Sequence, residues 1–306
     1  MFKRDAIISH HFSGAKWHQG MPILALLFAA SLWGISWYPV RLLEDSGIDG
    51  FWVTLFIYSG TVIIALPFII KHRREFIDNK WPLLVIAITV GWLNMAFILA
   101  VLDGQVVRVL LLFYLSPVWA ALLGKFVLKE QLHVLGWLMI AIAIIGAVIM
   151  LWSPELGIPL PKEKSDWLAL SSGFCFAFAN MMIRRTGQVS IPVKTITGWL
   201  GVVLVSGILI TITMTPPGQL TLSNVSLAIL YGIAGITLMT LSVVYGVSHM
   251  PIYRSSVILL FEIVIGAISA LWIANEGIQP QEWWGGGMII LAAYLAARSN
   301  IHEDVK

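Results

Sequence analysis

The stretch RVLLLFYLSPVWAALLGKFVLKE (Arg108–Glu130) is matched without a gap by RSSVILLFEIVIGAISALWIANE (Arg254–Glu276), at a constant offset of 146 residues. An arginine opens both stretches and a glutamate closes both. Each is long and apolar enough for one bilayer crossing, since a spanning helix needs about 20 apolar residues. Two such copies in one chain indicate an internal repeat.

The composition of the chain indicates a membrane protein. Of 306 residues, 58% are hydrophobic and 11% are charged, and the mean hydropathy is +0.88. A soluble domain carries about 25% charged residues, so we expect the lipid bilayer to be the main surrounding of this chain. The net charge of +3 is too small to indicate a nucleic-acid partner. The single cysteine, Cys175, excludes an internal disulfide framework and a multi-cysteine metal site.

Apolar runs between charges and turn residues predict ten transmembrane helices in an all-α polytopic fold. The predicted spans are 22–41, 51–70, 82–102, 106–127, 132–152, 167–184, 195–214, 225–248, 255–274 and 283–299. The distribution of lysine and arginine orients them. If both termini are cytoplasmic, fifteen of the nineteen lysines and arginines lie on the cytoplasmic side and four lie outside, as the positive-inside rule requires.

The repeat extends over two groups of five spans. The first and sixth spans also align, at an offset of 144 residues that places Ser36 on Asn180 and Arg41 on Arg185. The sequence therefore predicts a cytoplasmic tail (1–21), a first repeat (22–152), a linker (153–166), a second repeat (167–299) and a second tail (300–306). Five spans are an odd number, so the second repeat begins on the opposite side of the membrane. Inverted repeats around a midplane site are an architecture of secondary transporters.

Three motifs carry a resemblance to a known family: SLWGISW (Ser31–Trp37), LSPVWAALLGKFVLKE (Leu115–Glu130) and LFEIVIGAISALWIANE (Leu260–Glu276). With these motifs the chain resembles the EamA family of the drug/metabolite transporter superfamily over roughly residues 22–299. It departs from the family at Tyr58, near the place of a frequent arginine, and at Ile263, where a proline often follows the glutamate. The resemblance implies a ten-helix bundle whose central cavity is lined mainly by spans 1, 3, 4, 6, 8 and 9. It also implies export of amino acids or similar small metabolites.

Glu262 is the charge that the sequence places in the middle of the ninth span. A carboxylate at this depth costs about 2.5–3.5 kcal/mol on insertion scales, so such residues usually face water or a partner. Removal from water favours the neutral carboxyl group, which makes Glu262 a candidate for proton coupling or for pairing with a substrate amine. The alternative is a structural glutamate bonded to a neighbouring helix.

Small, polar and aromatic residues at helical spacing predict which faces turn inward. The predicted cavity-lining residues are Glu262, Trp33, Ser36, Trp37, Asn94, Tyr114, Trp119, Asn180, Ser242, Tyr245 and Ser269. Core packing or lipid contact is the alternative for each aromatic residue. Pro117 on the fourth span is a hinge candidate, because it frees a backbone carbonyl at membrane depth; an ordinary packing kink is the alternative.

The leading hypothesis is a secondary active transporter in a bacterial inner membrane, working by alternating access on a small-molecule substrate, with protons as a possible second partner. The first alternative is multidrug or organic-cation efflux, although small multidrug transporters carry their carboxylate on the first helix. An intramembrane enzyme would need a nucleophile with a base, or a metal cluster, and no such motif occurs in the sequence; we expect no catalytic residue, metal or cofactor. A membrane receptor remains open, and so does the choice between monomer and homodimer.

Overall fold

Helices make up almost all of the chain that the structure describes. A computed structural model describes residues 14–152, 161–274 and 279–299; within these ranges there is no β-strand, and one isolated antiparallel bridge joins Ile48 to Gly218. The helices are α1 (Gly14–Ile35), α2 (Trp37–Asp45), α3 (Gly50–Lys71), α4 (Arg73–Asp78), α5 (Lys80–Asp103), α6 (Val106–Phe113), α7 (Ser116–Leu123), α8 (Val134–Leu151), α9 (Lys164–Arg185), α10 (Ile191–Thr213), α11 (Leu222–Tyr231), α12 (Thr237–His249), α13 (Ile252–Leu259), α14 (Phe261–Ile273) and α15 (Pro280–Arg298). Two π-helical segments, Gly124–Leu128 and Gly232–Ile236, follow α7 and α11.

Nine segments of the described chain are long and apolar enough to cross a membrane. They are Gly20–Asp45, Gly50–Lys71, Lys80–Asp103, Val106–Leu128, Val134–Leu151, Lys164–Arg185, Ile191–Thr213, Leu222–His249 and Ile252–Ile273. The tenth predicted span coincides with α15, which is less apolar because its first half, PQEWWGGG, contains polar residues and glycines. Several helices begin or end a few residues beyond the predicted apolar runs, since charged residues extend them; α2, for example, continues to Asp45.

The connections between spans meet at two ends of the bundle. At one end, the Glu75 carboxylate accepts a hydrogen bond from the Ser190 backbone N–H over 2.5 Å, joining connections 71–80 and 185–191. We call this the basic end, because these connections contain Lys71, Arg73, Arg74 and Arg185. At the opposite end the Ile48–Gly218 bridge joins connections 45–50 and 213–222.

The two arginines that open the repeated stretches lie at different ends. At the opposite end, the Arg108 guanidinium donates two hydrogen bonds to Asp166, over 2.6 and 2.8 Å. Arg254 lies at the basic end, where its Nε donates to the Ala296 carbonyl over 2.7 Å. The fold is therefore the predicted all-α bundle of ten transmembrane helices in two inverted five-helix repeats.

Several spans are interrupted near their middle. The first span breaks at Ser36 between α1 and α2, three residues before Pro39, and the fourth breaks between α6 and α7, ahead of Pro117. A proline lacks the N–H that would bond four residues back and clashes with that carbonyl, which explains both positions. The ninth span breaks at Leu260 without a proline. Spans 1, 4 and 9 thus each consist of two half-helices.

The two repeats are interleaved. The first span packs against the ninth. The repeat places the first span on the sixth and the ninth span on the fourth, and the sixth span accordingly packs against α7 of the fourth. The fifth and tenth spans pair through glycines: a Cβ at Gly146 would lie 2.7 Å from the Gly285 carbonyl oxygen. Small residues at such crossings let helix backbones approach closely in lipid. This arrangement brings the first, fourth, sixth and ninth spans together around the centre of the bundle.

Candidate central site

The first and ninth spans cross at a glycine. A Cβ placed on Gly34 would lie 2.6 Å from the backbone oxygen of Glu262 and 2.8 Å from the Cβ of Ile265, so no larger residue fits without movement. Three residues further along the first span, the Trp37 indole Nε1 donates to the Ser269 hydroxyl over 2.9 Å. The Ser269 hydroxyl in turn lies 3.1 Å from the Gly34 carbonyl oxygen. These contacts fix the backbone of the Glu262 helix against the first span.

Glu262 lies in the first turn of α14, just after the break of the ninth span. A helix N-terminus favours a negative side chain. Its carboxyl group lies deep in the bundle, close to the hydroxyl group of Tyr114 at the break of the fourth span. Part of its surface is nevertheless accessible. The two interrupted helices of the repeats therefore meet at an acid and a phenol, and Glu262 points into the bundle.

The remaining polar residues of the first span face the eighth span. The Ser36 hydroxyl donates to the Trp33 carbonyl over 2.8 Å, and the Tyr231 hydroxyl lies close to the Ser36 side chain without a hydrogen bond of good geometry. Trp33 packs on the cluster that contains Ile57, Trp199 and Met239. Sequence reasoning missed Tyr231, because only the structure shows the π segment Gly232–Ile236 that follows it, and π segments are frequent at functional sites.

Asn94 on the third span is engaged with the second span. Its side-chain oxygen accepts a hydrogen bond from the Tyr58 hydroxyl over 3.1 Å, and its amide nitrogen donates to the Val90 carbonyl over 2.8 Å. Tyr58 is buried. Tyr58 lies near the position at which members of the family often have an arginine, and it thus bonds to Asn94, a predicted cavity residue.

Asn180 and Trp119 lie on the sixth and fourth spans, which form the counterpart of the first–ninth crossing. Asn180 is 3% exposed, and neither its side-chain nitrogen nor the Trp119 indole nitrogen has a hydrogen-bond partner among the described residues. The Trp119 ring packs edge to face on Phe174, with centroids 5.7 Å apart. In this structure both polar groups are therefore enclosed by helix packing.

Pro117 is buried beside the break of the fourth span. The carbonyl that it leaves without a helical partner belongs to Phe113, and that oxygen lies against Gly173 of the sixth span, where an added Cβ would approach it to 2.6 Å. This placement favours a packing kink over a carbonyl that faces the cavity. The hinge role of Pro117 stays a prediction.

Ser242 and Tyr245 on the eighth span line a different space from Glu262. Together with Met21, Leu24, Ala25, Phe28, Ile191 and Leu241 they border a wide, open cleft of about 510 Å³. The Tyr245 ring also contacts His249, with ring centroids 4.4 Å apart. The structure thus separates these two predicted cavity residues from the centre. Within the described ranges, no three His, Cys, Asp or Glu side chains are grouped so that they could hold a metal ion.

Comparisons with known proteins agree on one family. The profile of the EamA-like transporter family matches residues 20–152 and 163–298. An uncharacterized transporter of Pseudomonas aeruginosa is 28% identical over 182 residues, which cover 57% of this chain and 58% of the relative. The protein RarD of Salmonella typhi is 26% identical over 184 residues, which cover 58% of each chain. The chain thus aligns with just over half the length of these relatives. A crystal structure with 14% identity matches 90% of this chain and 96% of its own, with a TM-score of 0.74, and so shares the fold.

Proposed function

This chain belongs to the EamA-like transporter family and is a membrane transporter, and we propose that it is a secondary carrier that exports amino acids or similar small metabolites by alternating access. The observation that carries this proposal is the meeting of the interrupted fourth and ninth spans at Tyr114 and Glu262. Interrupted helices at the interface of inverted repeats are where secondary transporters bind substrates and coupling ions.

The proposed orientation follows from the charges of the connections. We place the basic end in the cytoplasm, together with both termini, because cytoplasmic connections of membrane proteins are enriched in lysine and arginine. With this orientation α6 and α14 lie in the outer half of the membrane and α7 and α13 in the inner half. A bacterial inner membrane is the proposed location.

Glu262 is the proposed coupling or recognition group. An acidic side chain inside a membrane is costly unless it faces water or a partner, and Glu262 combines a deep position with an accessible surface and the nearby phenol of Tyr114. In the proposed cycle it binds a proton or a substrate amine on one side of the membrane and releases it on the other. Trp37 and Ser269 hold the first span beside it.

The charge around Glu262 supports a second candidate function, efflux of organic cations. In the part of the chain that the structure describes, basic side chains pair with other acids, as in Arg108–Asp166 and Arg184–Glu130, and none is paired with Glu262. A positively charged substrate would therefore find an uncompensated acid, whereas a zwitterion would also need a partner for its own carboxylate. An aromatic ring such as that of Tyr114 also favours cations.

Flux into liposomes tests both candidates. Metabolites would first be compared between cells with and without the protein, and each hit would be offered to the reconstituted carrier beside leucine, as a zwitterion, and ethidium, as a permanent cation. Saturable movement of an unmodified solute is the expected result. A solute that changes mass without crossing the membrane would favour an enzyme, and saturable binding without flux would favour a receptor.

A further inference from the structure

The inner halves of the two interrupted spans pack against each other at the basic end. Helix α13 contacts α7 there, and every residue of 252–260 is buried. At the contact, a Cβ on Gly124 would lie 3.1 Å from Cγ1 of Ile252. The transport path that we propose between the repeats is therefore filled by side chains at this end.

The outer halves, α6 and α14, do not pack in this way, although the repeat makes the pair α6 and α14 equivalent to the pair α13 and α7. Helix α6, the counterpart of α13, buries only Val109, Leu111 and Leu112, and α14 buries only Ile263, Val264 and Ser269. Among the helix pairs of the described chain with substantial contact, α6 with α14 does not occur, whereas α7 with α13 does. Among the described residues, the bundle is closed at its basic end and looser at the opposite end.

Glu130 holds this closed contact by capping α13. The fourth span ends in a π turn with Lys129 in the left-handed conformation (φ 59°), and the Glu130 N–H returns to the Gly124 carbonyl over 2.9 Å. This turn carries the Glu130 carboxylate to the start of the ninth span, where it accepts the Ile252 N–H over 3.1 Å. A carboxylate at a helix N-terminus satisfies a free donor and interacts favourably with the helix dipole.

Two basic side chains tie this cap to the neighbouring spans. Arg184, at the end of the sixth span, pairs with Glu130 at 3.6 Å and donates to the Ser248 carbonyl over 2.8 Å. Lys194 of the seventh span donates from Nζ to the Ser248 hydroxyl over 2.8 Å and to the Ile183 carbonyl over 3.2 Å, and it is only 2% exposed. The ends of five spans are thus joined through a few charged groups.

We propose that Glu130, Arg184, Ser248 and Lys194 form a lock that holds the transport path closed at the basic end and that has to separate before this end can open. The proposal rests on the proposed carrier function. The four residues act as gating groups and do not bind substrate. A two-state equilibrium shifts by the free energy that distinguishes the states, so loss of a contact that only the closed state makes will populate the open state.

Ser255 provides a reporter for this opening. It lies on α13, seven residues before Glu262 and on the basic side of the break at Leu260, and is 0% exposed. The chain has one cysteine, Cys175, so a Cys175→Ser background with Ser255→Cys leaves a single thiol behind the lock. The rate at which a membrane-impermeant methanethiosulfonate labels this thiol from the basic end measures how often that end opens.

Glu130→Ala is expected to raise this labelling rate about tenfold or more, which corresponds to losing one hydrogen bond to a charged group. Glu282→Ala is the matched control, because Glu282 also accepts a hydrogen bond at a helix N-terminus, from the Gln279 N–H, but lies at the opposite end of the bundle. The control should label at the background rate. Equal rates for Glu130→Ala and the background would overturn the proposal.

Arg184→Gln decides the question if Glu130→Ala does not yield folded protein. It leaves the cap in place and should raise labelling less than Glu130→Ala. A rate equal to that of the background would then overturn the proposal. Where both single variants fold, the double variant should label at a rate close to that of Glu130→Ala, because residues of one network act non-additively; fully multiplied effects would contradict a shared lock. The two proposals fail separately. A lack of flux in liposomes would count against the carrier function. Labelling needs no substrate, so the labelling rates would still show whether these residues hold the basic end closed.

Discussion

The indole nitrogen of Trp37 donates a hydrogen bond to the hydroxyl of Ser269, 232 residues further along the chain, over 2.9 Å. The same hydroxyl lies 3.1 and 2.8 Å from the carbonyl oxygens of Gly34 and Gly266. One serine thus links the first span, in the first repeat, to the ninth span, in the second repeat, beside the proposed site. The strength of this link can be measured.

Replacement of Ser269 by alanine should weaken the first–ninth crossing. The change removes the acceptor of the Trp37 indole, and hydrogen bonds between membrane helices contribute about 0.6 kcal/mol on average and up to about 1.7 kcal/mol. We expect a loss of stability in this range, measured by unfolding of the purified protein in detergent. Thr211→Ala is the control, because the Thr211 hydroxyl bonds only to the Gly207 carbonyl of its own helix, on an exposed face. A loss no larger than that of the control would contradict the link.

The crossing at Gly34 should not tolerate a methyl group. Gly34→Ala places a Cβ 2.6 Å from the Glu262 backbone oxygen, and overpacking of this kind costs about 1–3 kcal/mol. Gly207→Ala is the matched change, because nothing lies within 4 Å of its added Cβ. It should instead stabilise α10, the helix of the seventh span, by about 0.5–1 kcal/mol, since glycine is the poorer helix residue. Thermal unfolding of both variants in one detergent tests the difference in sign.

Glu262→Gln should abolish both the transport of cations and any dependence of transport on a pH gradient. Glutamine keeps the size of the side chain but can neither carry a negative charge nor release a proton. Flux into liposomes is measured at several pH values. Glu282→Gln serves as the control, because Glu282 caps α15 at its N-terminus through Gln279, far along the sequence from the breaks.

The partner of Glu262 supplies a milder variant. Tyr114→Phe keeps the ring and removes only the hydroxyl group that lies close to the carboxyl, so it should reduce flux less than Glu262→Gln. Undiminished flux in Glu262→Gln that still responds to pH would remove the coupling role. In that case the glutamate would be a structural residue that stabilises the fourth–ninth contact.

The ion pair at the opposite end should be essential for stability. Asp166 is 1% exposed and accepts two hydrogen bonds from Arg108 and two more from the backbone N–H groups of Lys162 and Glu163. Loss of one partner of a buried pair costs about 3–5 kcal/mol, so Asp166→Ala should lower the unfolding temperature strongly. Lys162→Ala is the control, since only its backbone contacts Asp166; similar losses in both variants would refute the assignment.

Helical periodicity predicted part of the candidate site. It included Glu262 and Ser269 among the inward-facing residues, and the structure brings Ser269 to Trp37 and Glu262 close to Tyr114. The roles of Ser242 and Tyr245 on the eighth span stay predictions; the structure places them on a cleft that they share with residues of the first span. A polar stripe shows that a face avoids lipid, but it does not show which neighbouring helix covers that face.

The sequence alone determined the spans and the inverted repeat. Apolar runs of about 20 residues are local properties, and the repeat is visible because equivalent residues recur at a fixed offset, as Arg108 and Arg254 do. Only the tertiary structure decided which residues meet, such as Glu130 with Ile252 and Asn94 with Tyr58. The reason is the solvent: lipid tails are as apolar as the protein interior, so hydrophobicity does not distinguish the outer face of a helix from its inner face. Close packing and hydrogen bonds between distant segments make that choice.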